Sequence, residues 1–189
     1  MTIFFILLNN GFALQKVSIP DKERKFTMIL GMSVHTYTTI HVAISLIGIA
    51  TGFIVLFGLL AGKLLSPWNS LFLLTTVLTS VTGFFFPNTK ITPGIVIGIL
   101  SMIVLAVALF ALYVRHLAGG WKRTYVITAL VALYFNVFVL VAQLFEKVPS
   151  LHALAPTQSE APFKIVQLLV LVFFAILIPA ASKKFRQPI

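Results

Sequence analysis

Long apolar runs alternate with short polar segments along most of the chain. An α-helix rises 1.5 Å per residue, so about 20 apolar residues cross the roughly 30 Å hydrocarbon layer of a bilayer. Five runs approach this length, and we predict transmembrane spans over residues 40–62, 68–86, 94–114, 125–145 and 165–181. The pattern therefore predicts an all-α, polytopic transmembrane helix bundle, formed as a single domain by residues 32–189.

Composition agrees with a membrane location. The 189 residues are 59% hydrophobic and 10% charged, with a mean hydropathy of +1.06, whereas a soluble domain is about half apolar and a quarter charged. The formal net charge of +10 would suggest nucleic acid for a soluble protein. Here many basic residues lie just outside apolar runs, where lipid headgroups explain them. The lipid bilayer is the expected partner and nucleic acid is not.

The first 31 residues are not predicted to contain a span. The apolar stretch 3–8 is interrupted by Asn9 and Asn10, and the polar segment 21–25 follows, so the run is too short to cross a bilayer. We interpret residues 1–31 as a leader that is disordered, interfacial or not part of the mature chain. A cleaved signal peptide is the less favoured alternative, because no Lys or Arg precedes the apolar stretch.

Basic residues in the hinge 113–125 indicate the orientation. Arg115, Lys122 and Arg123 serve as topology anchors, since cytoplasmic loops carry the excess of Lys and Arg. With the hinge inside, alternation puts the C-terminus inside and the N-terminus outside. The count of Lys and Arg is then seven inside and seven outside, but four of the outside residues belong to the leader, which leaves seven to three without it.

Small residues mark the predicted helix-packing faces. Gly48, Gly52, Gly58 and Gly62 fall within an arc of about 120° on the first span. Such a face lets a neighbouring backbone approach closely in lipid. A second face of this kind, on the third span, includes Gly94 and Gly98, and we predict that it packs against the first.

Polar residues within the spans are candidate binding groups. Asn136 and Gln143 share one face of the fourth span. The amide of Asn136 must face protein or a wet cavity, because an unpaired amide in lipid is costly. An interhelical hydrogen bond is the favoured interpretation and contact with a ligand the alternative. The hydroxyls of the second span, at residues 75–82, offer a similar choice between helix contacts and a polar conduit.

Histidines and the loop 146–164 complete the candidate binding residues. His41 and His116 are predicted at opposite ends of their spans, so they cannot share one haem iron. His41, His152 and Glu146 are candidate binding groups near the outer surface. His35, His41 and His152 with Glu146 or Glu160 would be a chemically sensible metal set, but their spacing is no metal motif, and no metal or cofactor is expected. The long loop is the first candidate for contact with a partner.

The segments 32–48, 84–101, 113–126 and 145–163 resemble a group of small bacterial inner-membrane proteins without an assigned activity. The resemblance implies a multi-pass protein of the inner membrane and transfers no catalytic residue. We therefore expect an accessory or interaction subunit, bound to another membrane protein or to a second copy of itself, without enzymatic chemistry of its own. A small-solute permease or channel is the alternative, and a quinone- or haem-associated redox subunit is a weaker one.

Overall fold

The computed structural model of the protein describes residues 28–87 and 92–185, and an antiparallel hairpin precedes a bundle of helices. The hairpin pairs β1 with β2, so that Met28 lies opposite Ser33. Strands β1 and β2 cover Met28–Ile29 and Met32–Ser33, and the helices are α1 (Val34–Leu60), α2 (Ser66–Gly83), α3 (Pro93–Leu109), α4 (Trp121–Lys147), α5 (Pro149–Leu154) and α6 (Ala161–Lys184). Residues 1–27 of the predicted leader lie outside the described residues.

The helical prediction is confirmed, and the protein is an all-α chain with four helices long and apolar enough to cross a membrane. They are α1, α4, α6 and the unit Pro93–Val114, in which α3 continues into a π-helix. Helix α2 does not reach the same apolar content, because Asn69 and seven Ser or Thr residues share its 18 positions. Its role as a fifth span therefore stays a prediction.

Local capping explains where α1 and α3 begin. The Ser33 hydroxyl accepts a hydrogen bond from the Thr36 N–H at 3.1 Å, so α1 starts at Val34, six residues before the predicted span. Thr92 caps α3 in the same way through the Ile95 N–H at 3.3 Å, and Pro93 occupies the first turn, where its missing N–H costs nothing. Polar caps thus allow these helices to begin before the apolar runs from which the spans were predicted.

The hinge between α3 and α4 is a tight irregular turn. The π-helix Phe110–Val114 ends where the Arg115 N–H donates to the Phe110 carbonyl at 3.0 Å. His116 and Leu117 then adopt φ values of +48° and +58°, a left-handed region that costs a non-glycine residue about 1–2 kcal/mol. Burial of Leu117, which is 4% exposed, helps to hold this conformation. The chain can therefore reverse within a few residues.

The antiparallel pair α1 and α2 forms one side of the bundle. The Tyr37 hydroxyl bonds to Thr82 at one end of the pair, and Gly58 faces Leu65 at the other. Helix α4 lies at the centre, where Val126, Ala129 and Leu130 are fully buried. Helix α6 packs against α4 and α1, with Phe174 of α6 touching the rings of Phe53 and Tyr134.

The face of α1 that carries glycines packs against α2 and α4. A Cβ at Gly48 would lie 3.1 Å from Thr75 Oγ1, and one at Gly52 would lie 2.5 Å from Leu133 Cδ1. The predicted pairing with α3 is therefore wrong. On α3, Gly98 instead faces Phe84, which follows α2. Gly94 is exposed, and a Cβ there would meet only Thr92.

The two ends of the bundle differ in charge. At the end we call the basic end, a Cβ at Gly62 would lie 3.2 Å from the Lys184 carbonyl oxygen, so the ends of α1 and α6 meet next to the hinge. Six of the eight Lys and Arg residues described belong to this end: Lys63, Arg115, Lys122, Arg123, Lys183 and Lys184. Glu146 and Glu160, the two described acids, both belong to the opposite end, which we call the loop end.

Candidate functional site

A polar cluster joins α1 to α2 at the loop end. The His41 ring Nδ1 lies 2.7 Å from the Thr82 hydroxyl, and that hydroxyl donates to the Leu78 carbonyl at 2.7 Å. Because a hydroxyl has one proton, His41 must donate from Nδ1, which leaves Nε2 as an acceptor. The ring also packs edge-on against Phe86 at 5.1 Å between centroids. The predicted binding residue His41 is thus built into a helix contact.

Asn136 forms a hydrogen bond between helices in the middle of the bundle. Its Nδ2 donates to the hydroxyl of the fully buried Thr76 at 3.2 Å. This is the contact between helices that the sequence favoured over a ligand site. The neighbouring Thr75 hydroxyl donates back to the Leu71 carbonyl at 2.7 Å. The bond between Asn136 and Thr76 therefore holds α4 and α2 together, and a conduit between these helices would need it to break.

A second buried polar pair was not predicted from the sequence. The Tyr125 hydroxyl donates to the Asn69 amide oxygen in a short hydrogen bond, and both side chains are almost completely buried. Asn69 and Tyr125 each lie close to the start of a helix, where sequence reasoning places interfacial residues. The signal that could have revealed this pair is Asn69, directly after Trp68. An amide beside an apolar run needs a hydrogen-bond partner.

Two glutamines fasten the loop end to α4. Gln158, with φ of +57°, donates through Nε2 to the Ala142 carbonyl at 3.0 Å. Gln167 of α6 donates to the Phe138 carbonyl at 3.1 Å, while its own buried Oε1 has no hydrogen-bond partner within the described parts of the chain. Ala155 lies fully buried between α5 and these helices. The long loop is therefore packed against the bundle.

Glu160 closes the loop before α6. Its carboxylate accepts hydrogen bonds from the Thr157 hydroxyl at 2.8 Å, the Thr157 N–H at 3.2 Å and the Ser159 N–H at 3.0 Å. Desolvation raises the pKa of this carboxyl, but the hydrogen bonds from Thr157 and Ser159 together outweigh it and bring the pKa below its ordinary value of 4.5. The charged form of Glu160 therefore organises this turn.

A groove opens at the basic end between the start of α4 and the end of α6. Its volume is about 430 Å³. It is lined by Gly119, Lys122 and Arg123 from the hinge side and by Ser182, Lys183 and Phe185 from the other. Two of the three predicted topology anchors therefore lie side by side in a concave surface. The third, Arg115, lies over the Trp121 ring at 5.4 Å.

The remaining candidate binding residues are exposed and dispersed. Gln143 and His152 project from α4 and α5 without a hydrogen bond from their side chains to any described residue. Glu146 forms an exposed ion pair with Lys147 at 2.9 Å, a contact that contributes little to stability. Within residues 28–87 and 92–185, His, Asp and Glu nowhere gather in a group of three that could hold a metal ion.

Comparison with protein-family models, with curated proteins and with solved structures finds no match to this chain.

Proposed function

We propose that the protein is a five-span protein of the bacterial inner membrane that acts as an accessory or interaction subunit, without chemistry of its own. The observation that carries this proposal is the pairing of interior polar groups with one another. Asn136 bonds to Thr76, Tyr125 bonds to Asn69, and His41 bonds to Thr82. Polar groups already used for helix contacts are poorly suited to passing a solute or holding a redox group.

The position of α2 supports the fifth span. Helix α2 is 18 residues long, or about 27 Å, close to the roughly 30 Å of the hydrocarbon layer. It runs beside α1 from Gly58 almost to Tyr37, so it covers nearly the same depth as a helix that is apolar enough to span. The hydroxyls that lower its apolar content largely face α1 or their own backbone. Lipid therefore need not meet them.

Charge supports an orientation with the basic end in the cytoplasm. Six of the eight described Lys and Arg residues lie at this end, and two lie at the loop end. Cytoplasmic loops carry such an excess. The N-terminus is then outside and the C-terminus inside.

Labelling of single cysteines tests both parts of this topology, because the chain has no cysteine of its own. Lys63→Cys and Gly120→Cys should be protected from a membrane-impermeant maleimide in intact cells and react after lysis. Pro87→Cys and Ser159→Cys should react in intact cells. If Lys63→Cys and Pro87→Cys behaved alike, α2 would not be a span, and if all four patterns were reversed, the orientation would be wrong.

The interaction role is tested at the loop end. Leu154 is 57% exposed on the short helix α5, within the long loop 146–164 that is the first candidate for contact with a partner. A photo-crosslinking amino acid at position 154 should capture one membrane protein reproducibly, whereas the same group at Ile103, on an exposed face of α3, should capture lipid. Capture of lipid alone at both positions would count against the interaction role. If the protein carried a solute across liposome membranes and Asn136→Leu abolished that flux, a channel would be favoured instead.

A further inference from the structure

The groove at the basic end holds positive charge that nothing described in the chain neutralises. Lys122, Arg123 and Lys183 line it together. Glu146 is 24 residues from Lys122 along α4, or about 36 Å, and Glu160 starts α6 at the same distant end. Three neighbouring cations without a carboxylate repel one another, so an anion that enters the groove would be stabilised.

The hydroxyl of a largely buried serine faces the same groove. Ser182 is only 8% exposed, yet it lines the groove, and its side chain has no hydrogen-bond partner among residues 28–87 and 92–185. Helical hydroxyls commonly donate to a carbonyl three or four residues earlier, as Thr51, Thr75 and Thr128 do here. The free hydroxyl of Ser182 is therefore available to donate to a molecule in the groove.

Backbone donors add to the site. The N–H of Trp121 donates to the Ala118 carbonyl and that of Arg123 to the Gly120 carbonyl, whereas those of Gly119, Gly120 and Lys122 donate to no carbonyl in the described segments. A Cβ at Gly119 or at Gly120 would meet no atom within 4 Å, so their backbone is accessible. These N–H groups lie at the positive end of the 27-residue helix α4.

We propose that this groove binds a phosphate group, supplied by the headgroup of an anionic phospholipid or by free phosphate. Lys122, Arg123 and Lys183 would hold the oxygens by charge-assisted hydrogen bonds, and Ser182 would donate one further bond. Phe185 supplies an apolar wall, which suits the glycerol region of a lipid. The lipid source rests on the proposed membrane location, with the basic end at the anionic cytoplasmic leaflet. Recognition of the phosphate group itself does not depend on orientation.

Binding is tested with the full chain in a neutral detergent. Trp68 is replaced by Phe, so that Trp121, which is next to Lys122, is the remaining tryptophan. Its fluorescence is followed during titration with dihexanoyl phosphatidylglycerol, with dihexanoyl phosphatidylcholine or with inorganic phosphate, at constant ionic strength kept with chloride. Saturable binding of phosphatidylglycerol alone identifies a lipid headgroup as the ligand. Saturation by inorganic phosphate as well identifies a site for free phosphate. No saturation by either anion would overturn the proposal.

Two lysines in sequence provide a matched comparison. Lys183→Gln should weaken the affinity about tenfold, because it removes a charge-assisted hydrogen bond. Lys184→Gln removes the same charge from a side chain that does not line the groove, and it should change the affinity less than about threefold. Equal losses in the two variants would mean that only the general surface potential attracts the anion, and the site would be refuted.

A second variant examines the hydroxyl. Ser182→Ala removes one oxygen atom and changes no charge. It should weaken binding about threefold to tenfold. Unchanged affinity would contradict the role of Ser182, and each variant is first shown to keep the unfolding temperature of the parent. The cysteine labelling above does not depend on the groove, so a failure of phosphate binding and a failure of the topology would be seen separately.

Discussion

Gly52 gives the most direct test of how the bundle is packed. A Cβ added there would lie 2.5 Å from Leu133 Cδ1 of α4 and 2.9 Å from Phe72 Cε2 of α2. Carbon atoms prefer separations of about 3.5–4.0 Å, so Gly52→Ala requires Leu133, Phe72 or α1 itself to shift by up to about 1 Å. Leu133 and Phe72 are both 0% exposed and have little room to yield.

The expected cost follows from these contacts. Overpacking of a core by one methyl group costs about 1–3 kcal/mol, and the value here should be near the upper limit because both neighbours are fully buried. Replacing a helical glycine by alanine stabilises the helix by about 1 kcal/mol. The net loss for Gly52→Ala is therefore about 2 kcal/mol, which corresponds to a lower unfolding temperature by about 4–8 °C for a chain of this length.

Thermal unfolding in detergent, followed by circular dichroism, measures this loss. Gly94→Ala is the matched control, because a Cβ there would meet only Thr92 Oγ1 at 3.7 Å. Gly48→Ala should be intermediate, since its Cβ would lie 3.1 Å from Thr75 Oγ1. If Gly52→Ala unfolded at the same temperature as Gly94→Ala, α1 would not pack between α2 and α4 as described.

Three further substitutions address the polar contacts. Asn136→Leu should lower the free energy of unfolding by about 1 kcal/mol, because it removes a hydrogen bond between helices. Gln143→Leu, at an exposed position, should leave the free energy of unfolding unchanged in the same denaturation assay. Tyr125→Phe leaves the buried Asn69 amide without its donor and should lower the free energy of unfolding by about 1–3 kcal/mol. Tyr134→Phe is the control, because the Tyr134 hydroxyl bonds to no described residue. Equal losses in the two variants would exclude the buried pair. Glu160 has a lowered pKa in the folded chain, so its stabilising effect is present above pH 4.5 and is lost as the pH falls below that value. Amide hydrogen exchange in the turn before α6 should therefore become faster below pH 4.5 in the parent protein. The Glu160→Gln variant should show no such increase.

The sequence predicted the helices better than their partners. Each predicted span lies largely within an observed helix because an apolar run long enough to cross a bilayer has few other structures available. The pairing of α1 with α3 was wrong because any small-residue face can pack against any other in lipid. The connection between α1 and α2 is only five residues long, 61–65, and short connections favour antiparallel neighbours. That signal would have identified the right partner.

The candidate site was visible only as separate parts. Lys122 and Arg123 were recognised as topology anchors because they flank spans. Ser182 carried no signal, since a single serine near a helix end is common and its burial depends on how α6 meets the hinge. The approach of α6 to α4 results from long-range packing, as of Phe174 against Tyr134. Local sequence does not encode such a contact, so the groove could not be predicted.

Polar side chains of this protein fall into two groups with different consequences for function. Inside the bundle, groups such as Asn136 and Tyr125 bond to α2 and use their capacity to fix how the helices meet. At the basic end, Lys122, Arg123 and Lys183 share a groove without a described counter-charge. A group whose bonds are already formed gains little from a ligand, whereas a cation without a counter-charge can still form a charge-assisted hydrogen bond with an anion. Recognition of other molecules is therefore expected at the ends of the bundle, and substitutions in its interior should alter stability first.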